Sequence, residues 1–198
     1  QTGSRLGMTP KEYRAGGAGL AVSYVCTETS VCAKTSIGRM LVAATDRGLC
    51  SIQFGDSDRE LLERLKREYP RAEIEASSSA NSELLTGWMD ALRRHLAGSE
   101  PHLDLPLDVR ATAFQAKVWR YLRTIPYGET RSYAQVAEAI GKPEAVRAVA
   151  GACAANRTAL AIPCHRVIRA NGALGGYRWG RERKERLLQQ ERDRHAAD

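Results

Sequence analysis

At 198 residues with 43% hydrophobic side chains, the chain can hold one ordinary domain or two small ones and can bury a real core. No stretch approaches the roughly 20 apolar residues of a membrane span, and the start at Gln1 lacks a signal-peptide pattern, so a soluble, cytoplasmic protein without membrane contact is expected. Five cysteines (Cys26, Cys32, Cys50, Cys153, Cys164) are an odd number without metal-site spacing, and among His95, His102, His165 and His195 only His165 adjoins one, so no disulfide framework, metal or cofactor is expected.

The net charge of +7 is unevenly spread. Residues 1–105 carry 13 Lys and Arg against 14 Asp and Glu, whereas residues 106–198 carry 17 against 9. Such a basic second half suits a polyanion such as DNA, although a merely soluble basic surface has the same composition.

Residues 1–19 end in Ala15-Gly16-Gly17-Ala18-Gly19 and read as a linker. Strand patterns follow over Leu20–Cys26, Ile37–Ala44 and Leu49–Phe54, the last two joined as a hairpin through Thr45-Asp46-Arg47-Gly48. Leu61, Leu62, Leu65 and Tyr69 then recur at helical spacing within Ser57–Tyr69, as do Leu85, Trp88, Leu92 and Leu96. Strands followed by two helices predict a small α/β domain over residues 20–105.

Gly98, Ser99, Pro101 and Pro106 place a domain boundary before a mostly helical domain over residues 106–198. Thr112 with Gln115 reads as a capping box for a helix with Phe114, Val118, Leu122 and Ile125 on one face, stopped by Pro126. Ser132 with Gln135 opens a second helix, ended by Gly141, and Pro143 opens a third, which together predict a helix-turn-helix. On the third helix Val146, Val149 and Cys153 share the inward face, with Cys153 as an apolar filler, while Arg147, Gly151 and Ala154 face outward. One long cation among small side chains suits close approach to a minor groove better than reading base edges, though a plain structural helix has the same pattern.

Ile162-Pro163-Cys164-His165-Arg166-Val167 places an imidazole beside a thiol, which favours the nucleophilic thiolate. In a regular strand, however, the two side chains would point to opposite faces. The segment Pro163-Cys164-His165-Arg166-Val167 resembles the acceptor motif of the O6-alkylguanine-DNA alkyltransferases. Tyr133, Arg147 and Asn156 stand 31, 17 and 8 residues before Cys164, and Tyr177 and Glu191 stand 13 and 27 after it, separations that match that family. Leu6-Gly7-Met8-Thr9-Pro10-Lys11-Glu12-Tyr13-Arg14 is similar to the end of an AraC-type regulator domain, so the chain resembles the C-terminal part of Ada-type bifunctional repair proteins.

The resemblance implies an α/β N-terminal domain and a helical domain with a winged helix-turn-helix and an acceptor loop. It implies a stoichiometric, irreversible transfer of an alkyl group from O6-alkylguanine, or from O4-alkylthymine, in double-stranded DNA to Cys164, by a monomer bound in the minor groove. By that resemblance His165 contacts Cys164 through a water and is oriented by Glu191, and Asn156 ties the helix-turn-helix to the acceptor loop. Tyr133 donates to the base N3, the Arg178 N–H to O6, and the carbonyls of Cys164 and Val167 accept from the exocyclic amine. Arg147 fills the gap of the everted nucleotide, Tyr177 walls the pocket, and Gly151 and Ala154 approach DNA. Two other readings stay open: a lesion-binding or regulatory DNA module without repair, and a cysteine hydrolase built on Cys164, His165 and Glu191.

Overall fold

The computed structural model describes residues 18–30, 36–77 and 82–195. The segment Leu6–Arg14 and Cys32 lie outside the described residues. Strands β1 (Ala21–Ser30), β2 (Ser36–Thr45) and β3 (Gly48–Gly55) form an antiparallel meander, and β4 (Glu73–Ala76) adds in parallel to β1, giving the order β3-β2-β1-β4. The expected hairpin is present, with Thr45 opposite Gly48. Between β2 and β3, Ala43 pairs with Ser51 and Ala44 with Leu49, so Cys50 is the extra residue of a bulge.

Alternation across the sheet supplies two cores. Leu41, Ala43 and Cys50 pack with Leu61, Leu65 and Tyr69, the inward stripe of helix α1 (Asp58–Glu68) and its C-cap. Ser57 caps α1 by accepting from the Glu60 N–H. Burial of Leu61 and Leu65 stabilises this unit by about 1.5–3 kcal/mol each. The other sheet face, with Met40, Val42, Ile52 and Phe54, packs on α2 (Ser82–Leu96) and runs without a break into the core of the following helical domain.

That second unit begins with α3 (Ala113–Leu122) and α4 (Tyr133–Ala139), each opened by the capping box expected of it, at Thr112/Gln115 and Ser132/Gln135. Gly141, at φ +67°, ends α4 in the left-handed region that a side chain disfavours. A 3₁₀ turn at Pro143–Ala145 leads into α5 (Val146–Ala155), completing the helix-turn-helix. Short strands β5 (Arg131–Ser132) and β6 (Val167–Ile168) pair in parallel, and α6 (Arg181–His195) packs on the turn at Cys164–Arg166.

The outer edge of β3 is not left open. Leu49 donates to the Pro106 carbonyl and accepts from Asp108, and Ile52 donates to the Arg157 carbonyl and accepts from Ala159, all at 2.8–3.0 Å. The sheet is therefore hydrogen-bonded directly to the segment that carries the chain from α5 to Cys164.

His95, on α2, contributes to the acid response of the fold. Its Nδ1–H donates to the Glu100 carbonyl at 2.7 Å, its Nε2 is buried without a partner among the described residues, and burial pushes its pKa down to about 4. The unfolded chain binds this proton near pH 6.5, and the folded one refuses it until about pH 4. Its contribution to stability is therefore full above pH 6.5 and falls by about 3 kcal/mol on acidification toward pH 4. We expect His95→Gln to reduce the slope of the urea-midpoint-versus-pH curve over that window, the remainder coming from His165, and an unchanged slope would contradict the assignment.

Candidate active site

Cys164 opens a 3₁₀ turn, Cys164–Arg166, directly after Pro163. The turn replaces the strand geometry that would have sent Cys164 and His165 to opposite sides. Both are buried. Asn156, at the C-cap of α5, fixes the approach: its amide donates to the Ile162 carbonyl at 2.8 Å and to Cys164 Sγ at 3.1 Å. Its Oδ1 accepts from the N–H and hydroxyl of Thr158, at 2.9 and 3.0 Å, so the partners on both sides dictate the amide orientation. Leu160 sits at φ 66°, a left-handed conformation that costs a leucine about 1–2 kcal/mol and is held by this network and the β3 edge.

Behind the thiol, His165 Nε2 lies 2.7 Å from Glu191 Oε1, while Nδ1 is buried without a partner among the described residues. Glu191 also accepts from Arg166 Nε at 2.9 Å and Nη2 at 3.0 Å and from the Gly128 N–H at 3.1 Å. Arg166 Nη1 donates to the Ile125 carbonyl at 2.7 Å. Burial by itself would raise the Glu191 carboxyl, but the facing His165 and Arg166 outweigh it and hold the carboxyl at about 2. His165 is pushed down by burial and is neutral, able to accept a proton. Glu191 is buried, at 3% exposed, against the imidazole it is expected to orient.

Burial pushes Cys164 up to about 11, an effect moderated by the Asn156 amide and the charge of Lys184. The Pro-Cys-His sequence suggested a ready thiolate; the fold instead keeps the proton on sulfur until something removes it. Lys184 is fully buried, with Nζ donating to the Val167 carbonyl at 2.5 Å. That carbonyl, expected to face a base amine, already holds one partner.

Cys164 lies at a cavity of 350 Å³ walled by Tyr133, Tyr177, Gly176 and Arg178 on one side and by Ala150, Cys153 and Ala154 of α5 on the other. Cys153 is buried as expected and is also part of this wall. Tyr133, the first residue of α4, presses its hydroxyl on Gly175, where an added Cβ would come within 2.3 Å of it. Burial raises Tyr133 to about 12, so it stays a donor. Tyr177 meets the rings of His165 and Trp179 edge-on, and its buried hydroxyl has no partner among the described residues.

The structure thus groups Cys164, Tyr133, Tyr177, Arg178 and Ala154 around one cavity, with Asn156, His165, Glu191 and Val167 buried behind. Arg147 and Gly151 stand apart, exposed on the outer face of α5 that Ala154 shares. A Cβ on Gly151 would meet nothing, so this glycine answers no packing demand within the chain. The Arg178 side chain does not project freely: it donates to Glu68 and to the Ala154 carbonyl. Sequence reasoning assigned no role to Arg166, Lys184 or Glu68. A signal for one of them existed, since Lys184, Leu187, Leu188 and Glu191 form a single helical stripe. Among the described residues no cluster of His, Cys, Asp and Glu is placed to hold a metal, and no helix is long and apolar enough to cross a membrane.

Comparison with known proteins places this architecture. Residues 113–193 match the DNA-binding domain of 6-O-methylguanine DNA methyltransferase, and residues 30–109 match its ribonuclease-like domain. A methylated-DNA–protein-cysteine methyltransferase of Mycolicibacterium paratuberculosis is 42% identical over 81% of this chain and 89% of its own length. The chain belongs to the methylated-DNA–protein-cysteine methyltransferase family.

Within that family, it is 49% identical, over 94% of its length, to the bifunctional transcriptional activator/DNA repair enzyme Ada of Escherichia coli K12. It spans only half the length of that relative. The fold superimposes on the crystal structure of Mycobacterium tuberculosis OGT in complex with DNA with a TM-score of 0.68, at 35% identity, covering 87% of this chain and 94% of that one.

Proposed function

We propose that this chain repairs DNA by transferring an alkyl group from O6 of guanine irreversibly to Cys164. The observation that carries the reading is a thiol at the floor of a base-sized cavity, with a neutral imidazole and an ionised carboxylate aligned behind it. The lesion base turns out of the duplex and enters between Tyr133 and Tyr177. The thiol proton passes through a water to His165, whose cationic form Glu191 stabilises, and the S–C bond forms as the C–O6 bond breaks. The electron pair left on the base is met by the Tyr133 hydroxyl at N3 and the Arg178 N–H at O6, donors placed where charge develops. The product thioether offers no leaving group to water, so each molecule reacts once.

Binding is electrostatic, through the basic second half, with the small-residue face of α5 in the minor groove and Arg147 occupying the vacated stack. We assign the chain as a monomeric cytoplasmic repair unit with residues 20–105 and 106–198 as its two domains. The resemblance of Leu6–Arg14 to the end of an AraC-type domain makes it the repair half of a longer regulator.

Transfer of labelled methyl from an oligonucleotide to the protein, in one equivalent and no more, tests the reading. A lesion-binding module would retain no label, and a hydrolase would turn over esters continuously. Arg147→Ala should slow repair of duplex DNA by about 10²-fold, because eversion costs a few kcal/mol, while slowing reaction with a lesion in a short single strand by less than about threefold. Equal losses on both substrates would remove the finger role from Arg147.

A further inference from the structure

The N-terminal domain reaches the cavity through one carboxylate. Glu68, in the last turn of α1, is buried, and its Oε1 accepts from Arg178 Nη2 at 2.7 Å, with Arg157 Nε at 3.9 Å. Its Oε2 accepts from Gln53 Nε2 at 3.0 Å, and the same amide donates to Ser51 Oγ at 2.8 Å, so the carboxylate is fixed from β3 as well. Arg178 uses its other terminal nitrogen on the Ala154 carbonyl at 3.3 Å. The guanidinium therefore bridges the loop after Gly175 to the last turn of α5, and both Arg178 and Ala154 wall the cavity over Cys164.

An arginine on a loop ordinarily samples many rotamers, and ordering it costs conformational entropy. Here a carboxylate with a side-chain exposure of 6% supplies the fixed partner for an arginine whose side chain is 29% exposed. We propose that Glu68 is a positioning residue that holds Arg178 as a rigid rim of the cavity and thereby limits the size of the alkyl group accepted. This inference rests on reading the cavity as the base pocket. A methyl group fits inside the fixed rim, whereas a bulky group reacts only when the rim moves aside.

The test is single-turnover transfer from duplexes carrying either O6-methylguanine or O6-benzylguanine, by the full chain and by Glu68→Gln, Arg178→Ala and the double variant, with the adduct mapped in each. Either single change is expected to raise the benzyl-to-methyl rate ratio about fivefold, and the double variant to match Arg178→Ala, because the two residues act as one coupled unit. A merely structural role would lower both rates together and leave the ratio within about twofold of the parent, which would overturn the proposal. Should Glu68→Gln fail to fold, Gln53→Ala, which frees the carboxylate that holds Arg178, takes its place with the same rise in ratio expected, and an unchanged ratio there would overturn the proposal. An adduct found away from Cys164 in the parent chain would refute the pocket reading itself, a different outcome from an unchanged ratio.

Discussion

Cys164→Ala is expected to reduce methyl transfer to the background of uncatalysed methylation while leaving affinity for lesion-bearing duplex within about twofold. The affinity resides in phosphate contacts from a basic surface that this change does not touch. The fold should also survive. Removing one buried sulfur leaves a small void, and Asn156 keeps its bonds to Ile162 and Thr158, so the stability cost is about 1 kcal/mol or less. Filter binding and a label-transfer assay on one preparation separate the two readouts. Stoichiometric label on the variant would move the acceptor elsewhere and defeat the assignment.

Glu191→Ala is expected to have the largest effect on stability. Glu191 collects His165, Arg166 and Gly128, and its loss strands the buried Arg166 charge, a change that costs about 3–5 kcal/mol out of a typical total of 5–15. The urea midpoint should fall with an unchanged slope. Glu191→Gln keeps the shape, but one amide oxygen cannot serve all the donors that now converge on two carboxylate oxygens. Transfer by this variant should slow by about 10²–10⁴-fold through loss of a stabilised imidazolium. Replacing Arg166 and Glu191 together by methionine separates the two contributions: stability should largely return while the rate stays low. Full activity in that double variant would show that the carboxylate acts only on folding.

Most of the scaffold was legible because local chemistry and burial agree there. The capping boxes at Thr112/Gln115 and Ser132/Gln135 open helices, and Gly141 and Pro143 mark the turn between α4 and α5, as residue types alone indicate. Strand β4 was not legible, because Glu-Ile-Glu-Ala carries a single large apolar residue and owes its conformation to pairing with β1. Helix α6 was obscured for a related reason: it is highly charged, and two members of its inward stripe, Lys184 and Glu191, are ionisable groups that periodicity rules send to the surface.

At the site, the resemblance singled out Cys164, His165 and Glu191 and gave Asn156 as the tie to the acceptor loop, but the bonds through which Asn156 acts were not legible. The 3₁₀ turn at Cys164 and the four hydrogen bonds of Asn156, which reach residues two to eight positions away, leave no periodic trace, and the pairing of Ile52 with residues 157–159 joins segments far apart in sequence. Glu68 illustrates the same limit. A glutamate in a last helical turn reads as solvated, and only the fold shows it 2.7 Å from an arginine 110 positions away.

The decisive measurement is proteolytic mapping by mass spectrometry after incubating the protein with excess duplex containing O6-methylguanine. One methyl group per chain, confined to the peptide bearing Cys164 and unchanged on longer incubation, is the expected result. A peptide in which Cys164 stays unmodified while the lesion disappears from the DNA would contradict the account.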